Sequence, residues 1–159
     1  MTTQLKAEIR FATSAEDAVI AAHFYQMWRD NDIPTEAIAS NWQAEVQGYL
    51  DDARRSLNYQ SFVAEVNHQV IGSVGCQRFA GLYPNILKAS YRQDGYIWGV
   101  YVEPDFRRHG VATQLTNQAI VYLQSIGCTH AVLNASPSGR PVYSRLGFTD
   151  SNVMRRSLP

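Results

Sequence analysis

Val102-Glu103-Pro104-Asp105-Phe106-Arg107-Arg108-His109-Gly110-Val111-Ala112-Thr113 marks the place where a strand stops and a helix begins. Upstream, Tyr96-Ile97-Trp98-Gly99-Val100-Tyr101-Val102 is rich in β-branched and aromatic residues and is ended by Glu103-Pro104. Downstream, Val111, Leu115, Ala119, Tyr122, Leu123 and Ile126 recur at helical spacing, predicting a helix from Gly110 or Val111 to Ile126 with Gly127 as its stop. The first turn of such a helix has backbone N–H groups without intrahelical partners, and its dipole favours negative charge by about 0.3–2 kcal/mol. Gly110 and Ala112 keep the main chain approachable there, and Arg107 and Arg108 add positive charge suited to phosphate oxygens. A pyrophosphate fits this junction.

The flanking sequence extends the same alternation of elements. Glu8 to Ala12 reads as a first strand, and Thr13 followed by Glu16, or Ser14 followed by Asp17, is a capping-box signature opening a helix through about Arg29. Asn31-Asp32-Ile33-Pro34 breaks that helix, and a second is expected from Thr35 to Leu57 with Ala39, Trp42, Val46, Tyr49, Leu50 and Ala53 as its apolar stripe. Ser61–Val66, the turn Asn67-His68-Gln69 and Val70–Cys76 form a hairpin pattern. A long connection from Ala80 to Asp94 precedes the strand quoted above, and such connections often serve as lids or binding loops. Beyond the long helix come a strand at Thr129–Asn134, a short helix over Arg140–Leu146, and a tail from Phe148 to Leu158 that could add a final pair of strands. One mixed α/β domain over residues 1–159 is expected.

Composition narrows the function. The 159 residues carry 14 Lys+Arg against 14 Asp+Glu, so net charge offers no attraction to nucleic acid or to anionic membranes. No apolar run approaches the roughly 18–20 residues of a spanning helix, and the opening residues do not read as a secretion signal. Cys76 and Cys128 form no CxxC pair and have no His at ligand spacing, which argues for buried thiols in a reduced cytoplasm and no metal site. The P-loop and the dinucleotide GxGxxG are absent, and the near-match to GxSxG at Ile71-Gly72-Ser73-Val74-Gly75 lacks its first glycine.

Arg107-x-x-Gly110-x-Ala112, following a Val-Tyr-Val strand and Glu-Pro and leading into a long amphipathic helix, resembles the [Q/R]-x-x-G-x-[G/A] motif of the Gcn5-related N-acetyltransferases, the GNAT family. The segment Asn134 to Phe148, ending Tyr143-x-x-x-Gly147-Phe148, is similar to the family's C-terminal motif, and the likeness covers nearly the whole chain. The resemblance implies a GNAT fold: a mostly antiparallel sheet of roughly six to seven strands, splayed at its centre and flanked by helices on both faces. It also implies acetyl-CoA as cosubstrate, its pantetheine arm pairing with the backbone of Val100, Tyr101 and Val102 and its pyrophosphate on the amides of Arg107, Arg108, His109, Gly110, Val111, Ala112 and Thr113. Asn134 is a further candidate contact to the pantetheine amides.

The reaction implied is direct attack of an amine on the thioester through a tetrahedral intermediate, with Tyr143 as the acid that protonates the departing thiolate. No base is assigned. Tyr96 stands where some family members keep a carboxylate, and Asp94, Glu65 and Glu103 are the acidic neighbours. The expected acceptor is a primary amine of a small molecule, in a pocket drawn from Tyr25, Trp28, Asp30, Asp32, Trp42, Tyr83, Tyr91 and Asp94. A protein N-terminus or lysine is the rival acceptor, a non-catalytic acyl-CoA-binding module the rival class, and a homodimer through the Ser151–Leu158 tail an open expectation.

Overall fold

The computed structural model describes residues 5–159. Five strands, β1 (Glu8–Phe11), β2 (Gln60–Val66), β3 (Gln69–Arg78), β4 (Asp94–Val102) and β5 (His130–Val132), lie side by side in sequence order. The first three contacts are antiparallel and β4 pairs with β5 in parallel. The helices are α1 (Asp17–Asp30), α2 (Trp42–Ser56), α3 (Val111–Ser125) and the short α4 (Arg140–Arg145).

Local chemistry accounts for most boundaries. Thr13 and Glu16 form the reciprocal capping box, which opens as a 3-10 turn over Ser14–Glu16 before α1. Asn67 and His68 both take left-handed φ, the two-residue hairpin geometry whose twist matches that of the flanking strands. The expected Thr35–Leu57 helix is divided: Thr35–Ala37 is a 3-10 turn, Ile38 is extended, and α2 starts only at Trp42 behind Asn41. The three-residue spacing from Ala39 to Trp42 imitated helical periodicity across a segment where Ser40 and Asn41 favour a helix start over a helix interior.

The sheet separates two apolar layers. On one face, Val111, Leu115, Ala119 and Leu123 of α3 pack with Phe62, Ile71, Val74, Cys76, Ile97 and Val102. On the other, Ala21 of α1 joins Val46, Leu50 and Ala53 of α2 and Tyr59, with Phe24 and Trp98 alongside. A buried ion pair fastens this second layer: Asp17, 3% exposed, accepts from Arg54 Nη1 at 2.7 Å and from Gln47 Nε2 at 3.0 Å.

Two expectations are corrected. Among the described residues the sheet has five strands, not six or seven, because the tail after Phe148 forms none. Val153, Met154 and Leu158 are all strongly exposed, so no face of the tail is buried to fix a strand register. The strand expected at Thr129–Asn134 is limited to His130–Val132, because its neighbour β4 departs beyond that point. Among the described residues no helix is long and apolar enough to cross a membrane.

Burial pushes the Asp17 carboxyl up, and Arg54 and Gln47 more than reverse this, holding it below the usual carboxylate range. A depressed carboxylate stabilises the fold above its unfolded pKa and loses that contribution as pH falls through its folded value. Asp17→Asn should therefore lower unfolding free energy at pH 7 by about 2–4 kcal/mol, since Arg54 is left without its carboxylate. Urea titrations at pH 7 and pH 3 check this: the difference between wild type and variant should shrink at the acid end.

Candidate active site

The site grows from a mismatch in how β4 is paired. Its contact with β3 runs from Arg78↔Gly95 to Gly72↔Val102, whereas its contact with β5 spans only Asp94↔His130, Gly95↔Ala131 and Tyr96↔Val132. Opposite the single residue Val74, β4 places two, Gly99 and Val100, and Gly99 has φ +65°. This is a β-bulge built on a left-handed glycine, which bends the strand and increases its twist. Past Tyr96, β4 therefore has an unpaired side. Because Glu103 N–H donates to Ile71 O, alternation turns the N–H and C=O of Val102 and Val100 away from β3 and into the gap.

Strand β4 leads through a 3-10 turn, Pro104–Phe106, into the junction before α3. Arg108 (φ +67°) and Gly110 (φ +78°) are both left-handed, bracketing His109. A Cβ on Gly110 would meet nothing within 4 Å, so the glycine is required for its backbone angle and leaves open space before the helix. Among the described residues no side chain caps α3, and Val111, Ala112 and Thr113 form its first turn. Arg108 and His109 are exposed beside these amides. The loop is thus a run of main-chain donors at a helix start, suited to a phosphate group.

Arg107 does not present its guanidinium to that opening. Its Nε donates to Val102 O at 2.8 Å, its Nη2 to Asp30 Oδ2 at 2.7 Å, and the group lies 5.4 Å from the Tyr101 ring centre. The arginine locks the end of β4 to the end of α1, and its expected charge contribution to phosphate is replaced by this structural role. The Val102 carbonyl is thereby occupied as well, which leaves Val100 and the Val102 N–H as the backbone groups free to pair with an extended ligand.

Across the gap, Asn134 lies two residues past β5 and donates from Nδ2 to the Tyr96 hydroxyl at 2.6 Å. Tyr143 on α4 is half-buried, packed edge-on against Phe148 with ring centres 6.0 Å apart. Burial pushes its phenol above the ordinary tyrosine range, so it keeps its proton at neutral pH. It lines a groove of about 870 Å³ along the outer edge of β5, with Leu133, Asn134, Arg140 and Thr149 among its other walls.

The acidic and aromatic residues expected to form one acceptor pocket fall in separate groups: Asp30 is held by Arg107 and Gln26, Tyr25 stacks on Trp42 at 4.6 Å, and Tyr83 and Asp94 line a pocket of their own beside the connection before β4. The base candidate Glu65 is held by Arg10. Tyr83 and Tyr91 project from the connection before β4. What stands beside the cleft mouth instead is Trp98, with Phe24, Tyr49 and Tyr59 around its indole, and Gln77 between Trp98 and Tyr49. Alternation along β4 already places Tyr96 and Trp98 on one face, but only the packed structure brings Tyr49 and Gln77 to them.

A second buried group lies near the phosphate-loop end of β4. His23, 4% exposed, has Nδ1 2.7 Å from Ser73 Oγ and Nε2 3.3 Å from Glu103 Oε1. A carboxylate only accepts, so Nε2 carries the ring proton and Nδ1 accepts from the serine hydroxyl. The ring also packs on Tyr101 at 4.8 Å, fixing α1 to β3 and β4.

A model of the acetyltransferase (GNAT) family matches residues 21–148, and the chain belongs to this family. An uncharacterized N-acetyltransferase of Methanocaldococcus jannaschii is 34% identical over 97 residues, 59% of this chain and 41% of that protein. The chain thus spans about two fifths of the length of the curated relative it matches. Among solved structures, a GCN5-related N-acetyltransferase from Ralstonia eutropha JMP134 superposes with TM-score 0.81 at 22% identity, covering 96% of this chain and 99% of that one. A predicted acetyltransferase of Clostridium acetobutylicum solved with acetyl-CoA gives TM-score 0.81 at 22% identity, covering 96% of each chain. At these identities the two structures establish a shared fold.

Burial holds the His23 imidazole below its ordinary range against the opposing pull of Glu103. A folded value below the unfolded one means that unfolding takes up a proton, so stability is full above about pH 6.5 and declines below it. Unfolding free energy should fall between pH 7 and pH 5 at no more than about 1.4 kcal/mol per pH unit from this group. His23→Asn, which can keep a hydrogen bond to Ser73, should flatten that slope; denaturant titrations at half-unit pH intervals are the check.

Proposed function

We propose that this chain transfers an acetyl group from acetyl-CoA to the primary amine of a small molecule. The observation that carries the reading is the single path from the bulged, half-unpaired end of β4 into the uncapped start of α3. A long thiol cofactor ending in a diphosphate matches that path in both shape and hydrogen bonding. The Val100 C=O and the Val102 N–H pair with the pantetheine arm, and the amides from Arg108 to Thr113 receive the diphosphate. Acetyl-CoA supplies an activated thioester carbonyl when bound.

The chain's own residues then have three tasks. The Val100 N–H, directed into the gap, donates to the carbonyl oxygen as negative charge develops there. The cleft mouth orients the incoming amine, whose proton leaves to solvent; Glu65 and Glu103 already accept from Arg10 and His23. As the nitrogen–carbon bond forms and the carbon–sulfur bond breaks, the Tyr143 hydroxyl gives its proton to the leaving sulfur. The protonated phenol is the form present at neutral pH, as for an unperturbed tyrosine, and burial raises its pKa further.

A panel of small amines with acetyl-CoA should release free thiol. Tyr143→Phe should reduce kcat about 10²-fold or more, the usual contribution of a positioned acid, while the dissociation constant for CoA measured by calorimetry stays within about twofold. Gly110→Val should act oppositely. It forces a β-branched residue into a left-handed angle before α3 and should weaken CoA binding about tenfold or more. Tight CoA binding without thiol release on any amine would identify a non-catalytic acyl-CoA-binding module.

A further inference from the structure

Trp98, Gln77 and Tyr49 form a hydrogen-bonded relay whose direction is fixed by chemistry. The indole Nε1–H can only donate, and it lies 3.0 Å from Gln77 Oε1. The other end of the same amide, Nε2, is therefore turned to the Tyr49 hydroxyl, 2.6 Å away. Gln77 is 3% exposed, so its amide has both ends committed in a setting where a flipped orientation would bury two donors facing each other. The Tyr49 oxygen thus accepts from Gln77, and its own proton must point elsewhere. Its ring is 49% exposed, so that elsewhere is the open side.

The open side is the cleft mouth. Gln77 is the cross-strand partner of Tyr96, and Tyr96 is the last residue of β4 paired to β5 before the gap. The Tyr49 phenol is near enough to contribute to the upward displacement of the Tyr96 phenol, behind burial as the main cause. The surrounding wall is apolar: Phe79 stacks on Tyr96 at 5.7 Å and Phe24 meets Trp98 edge-on at 5.2 Å. Asp30, one of the three carboxylates expected to attract a cation, is held by Arg107. A group resting against Tyr49 is met by a hydroxyl whose proton the relay directs outward, and an oxygen acceptor placed there takes up that proton.

We propose that Tyr49 determines acceptor specificity, its relay-held hydroxyl donating to a carbonyl or carboxylate oxygen next to the reacting amine, so that small α-amino carbonyl compounds are preferred over plain alkyl amines and diamines. This rests on the acetyl-transfer reading above. Gln77 is a positioning residue that acts through Tyr49, and Trp98 sets the direction of both.

The test measures thiol release from acetyl-CoA with glycine, glycinamide, ethylamine and ethylenediamine, and with the corresponding alanine and propylamine pair. Wild type should favour glycinamide or glycine over ethylamine by about tenfold or more in kcat/KM, the worth of one buried hydrogen bond. The arm with the higher value tells whether a neutral carbonyl or a carboxylate is the preferred oxygen. Tyr49→Phe keeps the ring and removes the donor: KM for the carbonyl-bearing amine should rise about tenfold, kcat and the ethylamine constants should stay within about twofold, and CoA affinity should not change. Turnover with no preference for the carbonyl compounds, or a preference unchanged in Tyr49→Phe, overturns this inference alone. Turnover of no amine overturns the acetyl-transfer reading and this inference with it.

Discussion

The structure depends on β4 having one complete neighbour and one incomplete one. Ladder hydrogen bonds to β3 continue to Val102, while those to β5 stop at Tyr96. Backbone groups stripped of a partner inside a fold are costly, so the gap is tolerable only if water or a ligand with its own amides occupies it. The bulge at Gly99 makes the separation possible by turning the strand, and the left-handed Gly110 makes it useful by aiming the first turn of α3 at the same opening. Gly99 lies within the unpaired stretch and Gly110 in the loop beyond it, and each holds a positive φ that a β-branched residue would resist.

Arg107 shows how the same loop is kept in shape. A guanidinium aimed at the opening would supply charge, but it would leave the end of β4 and the end of α1 without a tie. In the fold the side chain goes to Val102 O and Asp30, and the helix-start amides are left to receive the anion. Recognition by main-chain donors is less variable in position than recognition by a long side chain, because the backbone has no rotamer freedom to lose. Arg108, exposed, remains as side-chain charge at the rim, with the exposed His109 beside it.

Much of this was legible in the residues. The strand–turn–helix from Tyr96 to Ser125 follows from β-branched density, a proline stop and a helical apolar stripe, and of the two capping-box pairs in the sequence Thr13–Glu16 forms, opening the turn that leads into α1. Local signals failed where an outcome depends on partners far along the chain. Thr35–Leu57 carries helical spacing throughout, yet the segment before Trp42 is held in turns. The tail has enough apolar residues for a strand but no sheet face to bury them against. Arg107 reads as a phosphate ligand until Asp30 is seen beside it, a contact spanning 77 positions. Tyr49 reads as part of a core stripe until Gln77, 28 positions away, takes its hydroxyl.

The two faces of the sheet divide the labour. The α3 face is a dry aliphatic core, with Leu115, Ala119, Val74 and Ile71 fully buried, and it holds the phosphate loop rigidly on its helix. The α1–α2 face is laced with directional contacts: Asp17 with Arg54, His23 with Ser73, Trp98 with Gln77 and Tyr49. Hydrogen bonds of this kind contribute only about 1 kcal/mol each to stability, but a mispaired one costs more, so they fix orientation more than they add stability. Orientation is what an acceptor site requires. A purely aliphatic second layer would support the sheet equally well and would leave the hydroxyl of Tyr49 free to turn, with no defined direction for the donor that faces the cleft.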